Sequence, residues 1–327
     1  MSNLDSYSVE TSADSTMTRE CLRARSAWLR RLREFFWSRG FLEIDTPVLS
    51  RDTVIDRHIE PISLKLPGAR SPYYLQTSPE YLMKRLLRLG EPAIFQIAHA
   101  FRAGECGDQH NPEFTLCEWY RVGDDYQAGQ DFLAEFTREL LGVSGVERMT
   151  YRQAFQRWAR LDPFSDSTDE IVRRAQLAAG DVIEETFSRD LSLDILFTEC
   201  VQPCLGIDAP TLLIDYPADQ AALAKVVQRD YGGVAERYEL FWKGMELANG
   251  YHELLDPKEL ERRQHQINQE RVEDGKEALP EQSRLVEAMK QGLPPCSGVA
   301  LGVERTLQAL LGMDSIAEVM TFPIDRA

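Results

Sequence analysis

The sequence is poor in cysteine, in histidine and in positive charge, and each shortage removes a class of protein. Six cysteines in 327 residues (Cys21, Cys106, Cys117, Cys200, Cys204 and Cys296) lack the density of a disulfide scaffold, so reduced thiols are expected. Three residues separate Cys200 from Cys204 where a zinc knuckle has two, and His58, His99, His110, His252 and His265 form no pair at HExxH spacing. No His/Cys zinc site is expected. Lys and Arg total 37 against 53 Asp and Glu, a net charge of −16. Every phosphate neutralised along a nucleic acid requires a cation from the protein, so a broad tRNA- or DNA-tracking surface is disfavoured. The basic run Arg23, Arg25, Arg30, Arg31 and Arg33 reads as a solvated helix face. Residues 1–16 have neither the basic start nor the apolar core of an export signal, and no stretch approaches the roughly 18 apolar residues of a membrane span. A cytoplasmic protein without membrane contact is expected.

What is present is ordinary globular material, 43% hydrophobic and 28% charged, which argues against wholesale disorder and fibrous repeats. The length allows two domains or one large one. With no internal repeat, low-complexity tract or Gly/Ser linker, one continuous domain over residues 18–327 is preferred, behind a polar leader (1–17) expected to be disordered. Thr18 is placed to cap a helix in which Leu22, Leu29, Leu32 and Phe36, beside Trp28 and Phe35, recur every three or four residues until Gly40 stops it. Phe41 to Ser50 turns extended before Pro47, and Ile59 to Leu66 and Tyr73 to Thr77 read as strands. Ser78-Pro79-Glu80 opens a helix that Gly90 ends, with Ser as cap and Pro at the first position. Ala93 to Phe101 and Phe114 to Val122 read as the strands of a long-looped hairpin. A mostly helical stretch from about Asp131 to Leu205 reads as an insertion or flank. Strand patterns return at Thr211 to Tyr216, Ala235 to Trp242 and Met245 to Leu254, followed by a charged helix from Pro257 to about Glu273, a strand at 297–302 and a helix at 304–311. Antiparallel strands interrupted by helices predict an α+β fold, an antiparallel sheet flanked by helices.

Three places carry candidate chemistry. The hairpin loop gathers Arg102, His110 and Phe114, a guanidinium fork suited to phosphate oxygens and an aromatic face suited to a purine. Alone it would read as an ordinary surface hairpin. Gly298-Val-Ala-Leu-Gly302-Val-Glu-Arg305 is a glycine-containing strand that lets a ligand approach the backbone and delivers a second arginine at a helix start. Glu239 and Glu246, seven residues apart across a strand-turn-strand, suit magnesium bridging phosphates. An arginine at each end of a triphosphate with metal between them makes a plausible adenylation site.

Together these residues resemble the catalytic domain of class II aminoacyl-tRNA synthetases, specifically the lysyl branch. Phe41 to Ser50 looks like its first motif, with Pro47 at a dimer interface; Phe101 to Tyr120 looks like its second and Gly298 to Arg305 its third. Thr77-Ser-Pro-Glu80 and Glu246-Leu-Ala-Asn-Gly-Tyr-His-Glu253 strengthen the likeness, which covers nearly all of Thr18 to Ala327. A lysyl-tRNA synthetase places an anticodon-binding domain before this pattern. Here the pattern follows a short polar leader, so the chain is similar to the stand-alone elongation factor P (R)-β-lysine ligase family, down to His110-Asn-Pro-Glu-Phe-Thr, Glu118-Trp-Tyr120, Leu247-Ala-Asn-Gly and Cys296-Ser-Gly-Val-Ala-Leu-Gly302.

The resemblance implies ATP and Mg2+ as cofactors, elongation factor P and (R)-β-lysine as partners, a homodimer, and no tRNA. By it, Arg102, Ala103, Gly104, His110, Asn111, Phe114, Glu246, Leu247, Gly302 and Arg305 line the ATP site, with Arg102, Glu246 and Arg305 in catalytic roles. Glu239 and Glu246 carry magnesium. Ser78, Glu80, Glu118, Tyr120, Asn249, Glu253 and Ala300 form the amino-acid pocket, whose carboxylates neutralise ammonium groups costly to bury unpaired. Three departures stand out. The usual Arg-x-Glu is Arg102-Ala-Gly104-Glu105, with the carboxylate one residue late; Glu304 stands where Asp is common; and Ala300 replaces a glycine of lysyl-tRNA synthetases, which would reshape the pocket floor. Two other readings remain at this point: a synthetase-like enzyme charging tRNA or another acceptor, and a catalytically silent binding paralogue.

Overall fold

The computed structural model describes Ser15 and residues 17–180 and 187–327. Most of the expected leader lies outside the described residues. In chain order the elements are α1 (Arg19–Trp37), β1 (Leu42–Glu43), β2 (Leu49–Ser50), β3 (Ser63–Leu64), β4 (Tyr73–Leu75), α2 (Glu80–Leu86), β5 (Ala93–Phe101) and β6 (Glu113–Val122). Then come α3 (Tyr126–Leu141), β7 (Glu147–Thr150), α4 (Tyr151–Ala154), α5 (Thr168–Ala179), α6 (Arg189–Leu196), β8 (Thr211–Pro217), β9 (Val226–Arg229), β10 (Gly232–Trp242) and β11 (Met245–His252). The chain ends with α7 (Pro257–Glu273), α8 (Arg284–Lys290), β12 (Cys296–Gly302) and α9 (Val303–Leu311). α4 and α6 each continue into a π-helical turn, at Phe155–Ala159 and Phe197–Val201.

These elements form two compact units. Among the described residues, the first comprises those up to 119, 257–293 and 301–327, the second those within 120–256 and 294–300, so the chain passes from one to the other inside β6 and inside β12. In the first unit, α1 starts where Thr18 Oγ1 accepts from the Cys21 N–H at 3.1 Å. It buries Trp28, Leu32, Phe35 and Phe36, and the Phe36 ring stacks on Phe95 of β5 at 4.6 Å and tilts against Trp119 at 5.1 Å. Leu22 and Leu29 do not join that face: Leu22 is 49% exposed, and both line a 480 Å³ groove beside α1 with Arg25, Arg33, Trp37 and Thr321. Leu32 and Phe36 hold the predicted stripe, while Cys21, Trp28 and Phe35 take the places expected of Leu22 and Leu29. Strand order in this unit is β1-β5-β6, with β1 parallel to β5, and β2, β4 and β3 form a separate antiparallel sheet.

In the second unit the order is β12-β11-β10-β8-β7, with β9 also on β10. β10 runs antiparallel to β8, β9 and β11, while β7 is parallel to β8. Tyr151, Phe155, Ile171, Leu193 and Val201 from the helical stretch pack on Leu213, Tyr216, Ala235 and Phe241 of the strands. The sheets of both units are mixed, mostly antiparallel and flanked by helices, as the α+β reading expected. The strand expected over 59–66 is reduced to Ser63–Leu64, and β7, β9 and α8 were not anticipated.

Candidate active site

In the first unit, the segment after β5 is held by two backbone bonds: Arg102 N–H donates to Pro112 O at 2.9 Å and Ala103 N–H to Glu60 O at 2.8 Å. The Arg102 guanidinium lies over the Phe114 ring, 4.9 Å from its centroid. Arg102 Nε is buried with no partner among the described residues, a donor that a ligand would satisfy. Gly104 has φ +78, a left-handed conformation that would strain glutamate, and this accounts for the displaced motif. The late carboxylate still comes close: Glu105 Oε1 is 3.7 Å from Arg102 Nη1. Across the loop, Arg305 Nη2 meets His110 Nε2 at 2.7 Å, and Arg305 Nε donates to Gln109 O at 3.2 Å. Gly302 is the N-cap of α9 and has no side chain to occupy the helix end. Asn111 is committed otherwise: its Nδ2 donates to Glu113 O and its Oδ1 accepts from Ile324 N–H at 2.9 Å.

Glu304 explains itself in the same unit. Its side chain is 4% exposed; Oε1 accepts from Arg25 Nη2 at 2.7 Å and Oε2 from Thr115 N–H at 2.9 Å. Arg25 is therefore not part of a solvated basic face, and the pair ties α1 and α9 to the strand residue beside Phe114. Glu80 sits in the first turn of α2, where its own N–H donates to Ser78 Oγ at 3.2 Å. Pro79, not Ser78, occupies the cap position, so the hydroxyl acts from one residue further out. Glu80 Oε1 accepts from Lys84 Nζ at 2.6 Å, an i,i+4 pair with both side chains largely buried. Lys84 carried no signal of this role in the sequence. Glu118 is 1% exposed.

In the second unit, side-chain alternation puts Arg237, Glu239 and Phe241 on one face of β10. Glu239 faces Asn249 on β11, but Phe241 faces Glu246, because the register skips Leu247. That bulge turns Glu246 onto the same face as Glu239 and Asn249 and leaves Leu247 out of the ladder. Glu239 is buried and accepts from Tyr216 Oη and Arg237 Nη2. Burial first, and then the nearby Glu246 charge, push its carboxyl above the ordinary carboxylate range. Two crowded carboxylates, one desolvated, gain from a divalent cation between them, so the donor set fits magnesium. Asn249 Nδ2 donates to Tyr251 Oη at 3.1 Å, while its buried Oδ1 has no partner among the described residues.

On β12 of that unit, a Cβ added at Gly298 would stand 2.2 Å from Tyr120 Cε1 and 2.6 Å from Glu253 Oε1. The glycine is what lets the strand backbone, the Tyr120 ring and the buried Glu253 carboxylate meet. Ala300, two residues on, shares its strand face. Gly298 was noted in the sequence for close approach but not counted in the pocket; Arg237 and Tyr216, which orient Glu239, carried no sequence signal.

A family model described as tRNA synthetases class II (D, K and N) matches residues 11–326. The chain belongs to this family. It is also 41% identical over 308 residues, 93% of this chain and 94% of the relative, to a protein named elongation factor P (R)-beta-lysine ligase in Salmonella arizonae. The proteins of that name from Salmonella paratyphi B and Salmonella heidelberg give the same identity and coverage. Family membership agrees with the motif order of the sequence and with the α+β architecture. Among the described residues no helix is long and apolar enough to cross a membrane.

Proposed function

We propose that the chain is an ATP-dependent, AMP-forming ligase that activates (R)-β-lysine, and less well L-lysine, and joins it to the ε-amine of one lysine on elongation factor P. The near-full-length identity with ligases of that name carries the reading. Residues 18–327 act as one catalytic domain.

Arg102 takes the α-phosphate, Phe114 the adenine face, and His110 and Arg305 the distal phosphates; Ala103, Gly104, Leu247 and Gly302 offer backbone to the nucleotide, and Asn111 braces the loop from Glu113 O and Ile324 N–H. Glu239 and Glu246 would hold magnesium, which when bound neutralises charge on the β- and γ-phosphate oxygens. Glu253, with Tyr120, Asn249, Glu118, Ser78 and Glu80, receives the substrate ammonium groups, and Ala300 shapes the floor. In the first step an oxygen of the substrate carboxylate attacks the α-phosphorus in line, the bond to the β-phosphate oxygen breaks, and pyrophosphate leaves. Arg102 stabilises charge on the five-coordinate phosphorus; no protein nucleophile is needed. In the second step the neutral ε-amine of the acceptor lysine attacks the acyl carbon, the bond to AMP breaks, an amide forms and a proton is released. The net charge of −16 favours a protein acceptor over tRNA. We place the enzyme in the cytoplasm as a homodimer, with Pro47 at its interface.

The test is ATP-pyrophosphate exchange with (R)-β-lysine, L-lysine and no amino acid. Exchange should be strongest with (R)-β-lysine and absent without amino acid. Equal or better exchange with L-lysine would overturn the substrate assignment, and no exchange at all would overturn the activity.

A further inference from the structure

α7 is a heavily charged helix, yet Arg271 in its last turn has no solvent exposure. Each of its three guanidinium nitrogens donates. Nε donates to Glu277 O at 3.1 Å, Nη1 to Asp56 O at 2.9 Å and Ile59 O at 3.3 Å, and Nη2 to Glu60 Oε2 at 2.7 Å. Burying a guanidinium is costly unless its planar fork of donors is matched, and here three of the four acceptors are main-chain carbonyls. Such a group fixes a stretch of backbone more than it makes an ion pair, the more so because the Glu60 side chain is 43% exposed.

The stretch it fixes is 56–60, which α7 and the chain after it grip at other points. Arg57 Nε pairs with Asp274 Oδ2 at 2.8 Å, Lys276 Nζ donates to Arg57 O, and Ile55 packs with Tyr74, Leu279 and Ile267 of α7. At its far end the Glu60 carbonyl accepts the Ala103 N–H. It is the backbone bond of the residue that follows Arg102, next to Arg102 N–H to Pro112 O. Phe101 N–H is held by Gln76 O at 2.9 Å on the other flank, so the Glu60 carbonyl fixes the backbone on the side of Arg102 that leads into the loop.

We propose that Arg271 is a positioning residue for Arg102, acting through Glu60 and the backbone of Ala103; this rests on the ligase reading above. Reactions that depend on alignment can lose about a hundredfold in rate for a misplacement of about 1 Å. Lysine keeps the charge but cannot present a planar fork to several carbonyls. Arg271→Lys should therefore lower kcat for pyrophosphate exchange by roughly ten- to a hundredfold and raise KM for ATP, leaving KM for the amino acid near its original value.

The decisive experiment is a double-mutant cycle of Arg271→Lys with Arg102→Ala in the full-length protein, read both as exchange kinetics and as ATP affinity by calorimetry. Arg102→Ala alone should cut exchange about a hundredfold or more. If Arg271 works through Arg102, the double variant should fall within about twofold of Arg102→Ala, because coupled residues are not additive. Losses that multiply, or a KM rise for the amino acid equal to that for ATP, would overturn the proposal. If Arg271→Lys does not fold, judged by circular dichroism, the same cycle with Arg271→Gln decides by the same criterion, and a folded single variant that leaves exchange unchanged would overturn the proposal. Failure of the ligase reading would look different: wild type without exchange. The calorimetric cycle would then still decide whether Arg271 and Arg102 are coupled in binding ATP, and a wild type that binds no ATP would overturn both.

Discussion

The amino-acid pocket can be tested at Gly298, whose missing side chain leaves room for Tyr120 and Glu253. A methyl group there would stand 2.2 and 2.5 Å from the Tyr120 ring and 2.6 Å from Glu253 Oε1, where ordinary contacts begin at 3.4 Å. The ring would have to retreat by more than about 1 Å, and the carboxylate by nearly as much. Tyr120 is 3% and Glu253 3% exposed, so neither can swing into solvent. Overpacking of this kind costs about 1–3 kcal/mol of stability. A displacement of about 1 Å in a substrate-holding pair costs up to about a hundredfold in the step that depends on it. Gly298→Ala is therefore expected to fold, to raise KM for the amino acid about ten- to a hundredfold in pyrophosphate exchange, and to leave KM for ATP within about twofold, since neither Tyr120 nor Glu253 is among the proposed nucleotide contacts. An unchanged KM for the amino acid in a folded variant would refute the placing of the pocket at Tyr120 and Glu253. An equal rise in both constants would refute the idea that the substitution acts locally.

Other expectations follow from the same geometry. Arg25→Met leaves the buried Glu304 charge without its cation and should cost about 3 kcal/mol in urea unfolding, near the low end for broken buried pairs because Arg25 keeps some exposure. The double variant with Glu304→Gln should recover part of that loss, and strict additivity would contradict the pairing. The raised Glu239 carboxyl favours the protonated fold, so its stabilising share is present at low pH and is lost as pH rises from the ordinary carboxylate range through the raised value. Magnesium needs the carboxylate form, so its stabilising effect in thermal unfolding should grow as pH rises through the raised value and shrink in Glu239→Gln; an effect independent of pH would contradict the assignment. Ala300→Gly should shift the ratio of (R)-β-lysine to L-lysine activation toward L-lysine, and an unmoved ratio would remove Ala300 as a determinant.

Much of this was legible in the sequence because its signals are local. Thr18 as a hydroxyl cap, Pro257 to Glu273 as a charged helix, and the aromatic and β-branched runs on either side of the Arg102 loop each carry their own punctuation. β7 and β9 were missed because strands of four residues such as Glu147–Thr150 have too little length for a period, and partners far along the chain make them strands. The same applies to side chains. Arg25 and Arg271 look like solvated charges along the chain, and only the fold brings Glu304 to one and three carbonyls to the other. The skipped register at Leu247 decides that Glu246 joins Glu239, a fact that residue spacing alone does not contain. Gly104 was readable as a departure but not as a requirement until its φ of +78 showed why a glutamate is disfavoured there.

The central claim is transfer to a protein, and one measurement addresses it directly. Purified elongation factor P is incubated with the enzyme, ATP, magnesium and (R)-β-lysine, and its intact mass is recorded, followed by peptide mapping. The account predicts a gain of a single lysyl mass on one lysine, dependent on ATP and lost with Arg102→Ala. An unmodified factor, in the presence of active pyrophosphate exchange, would contradict it.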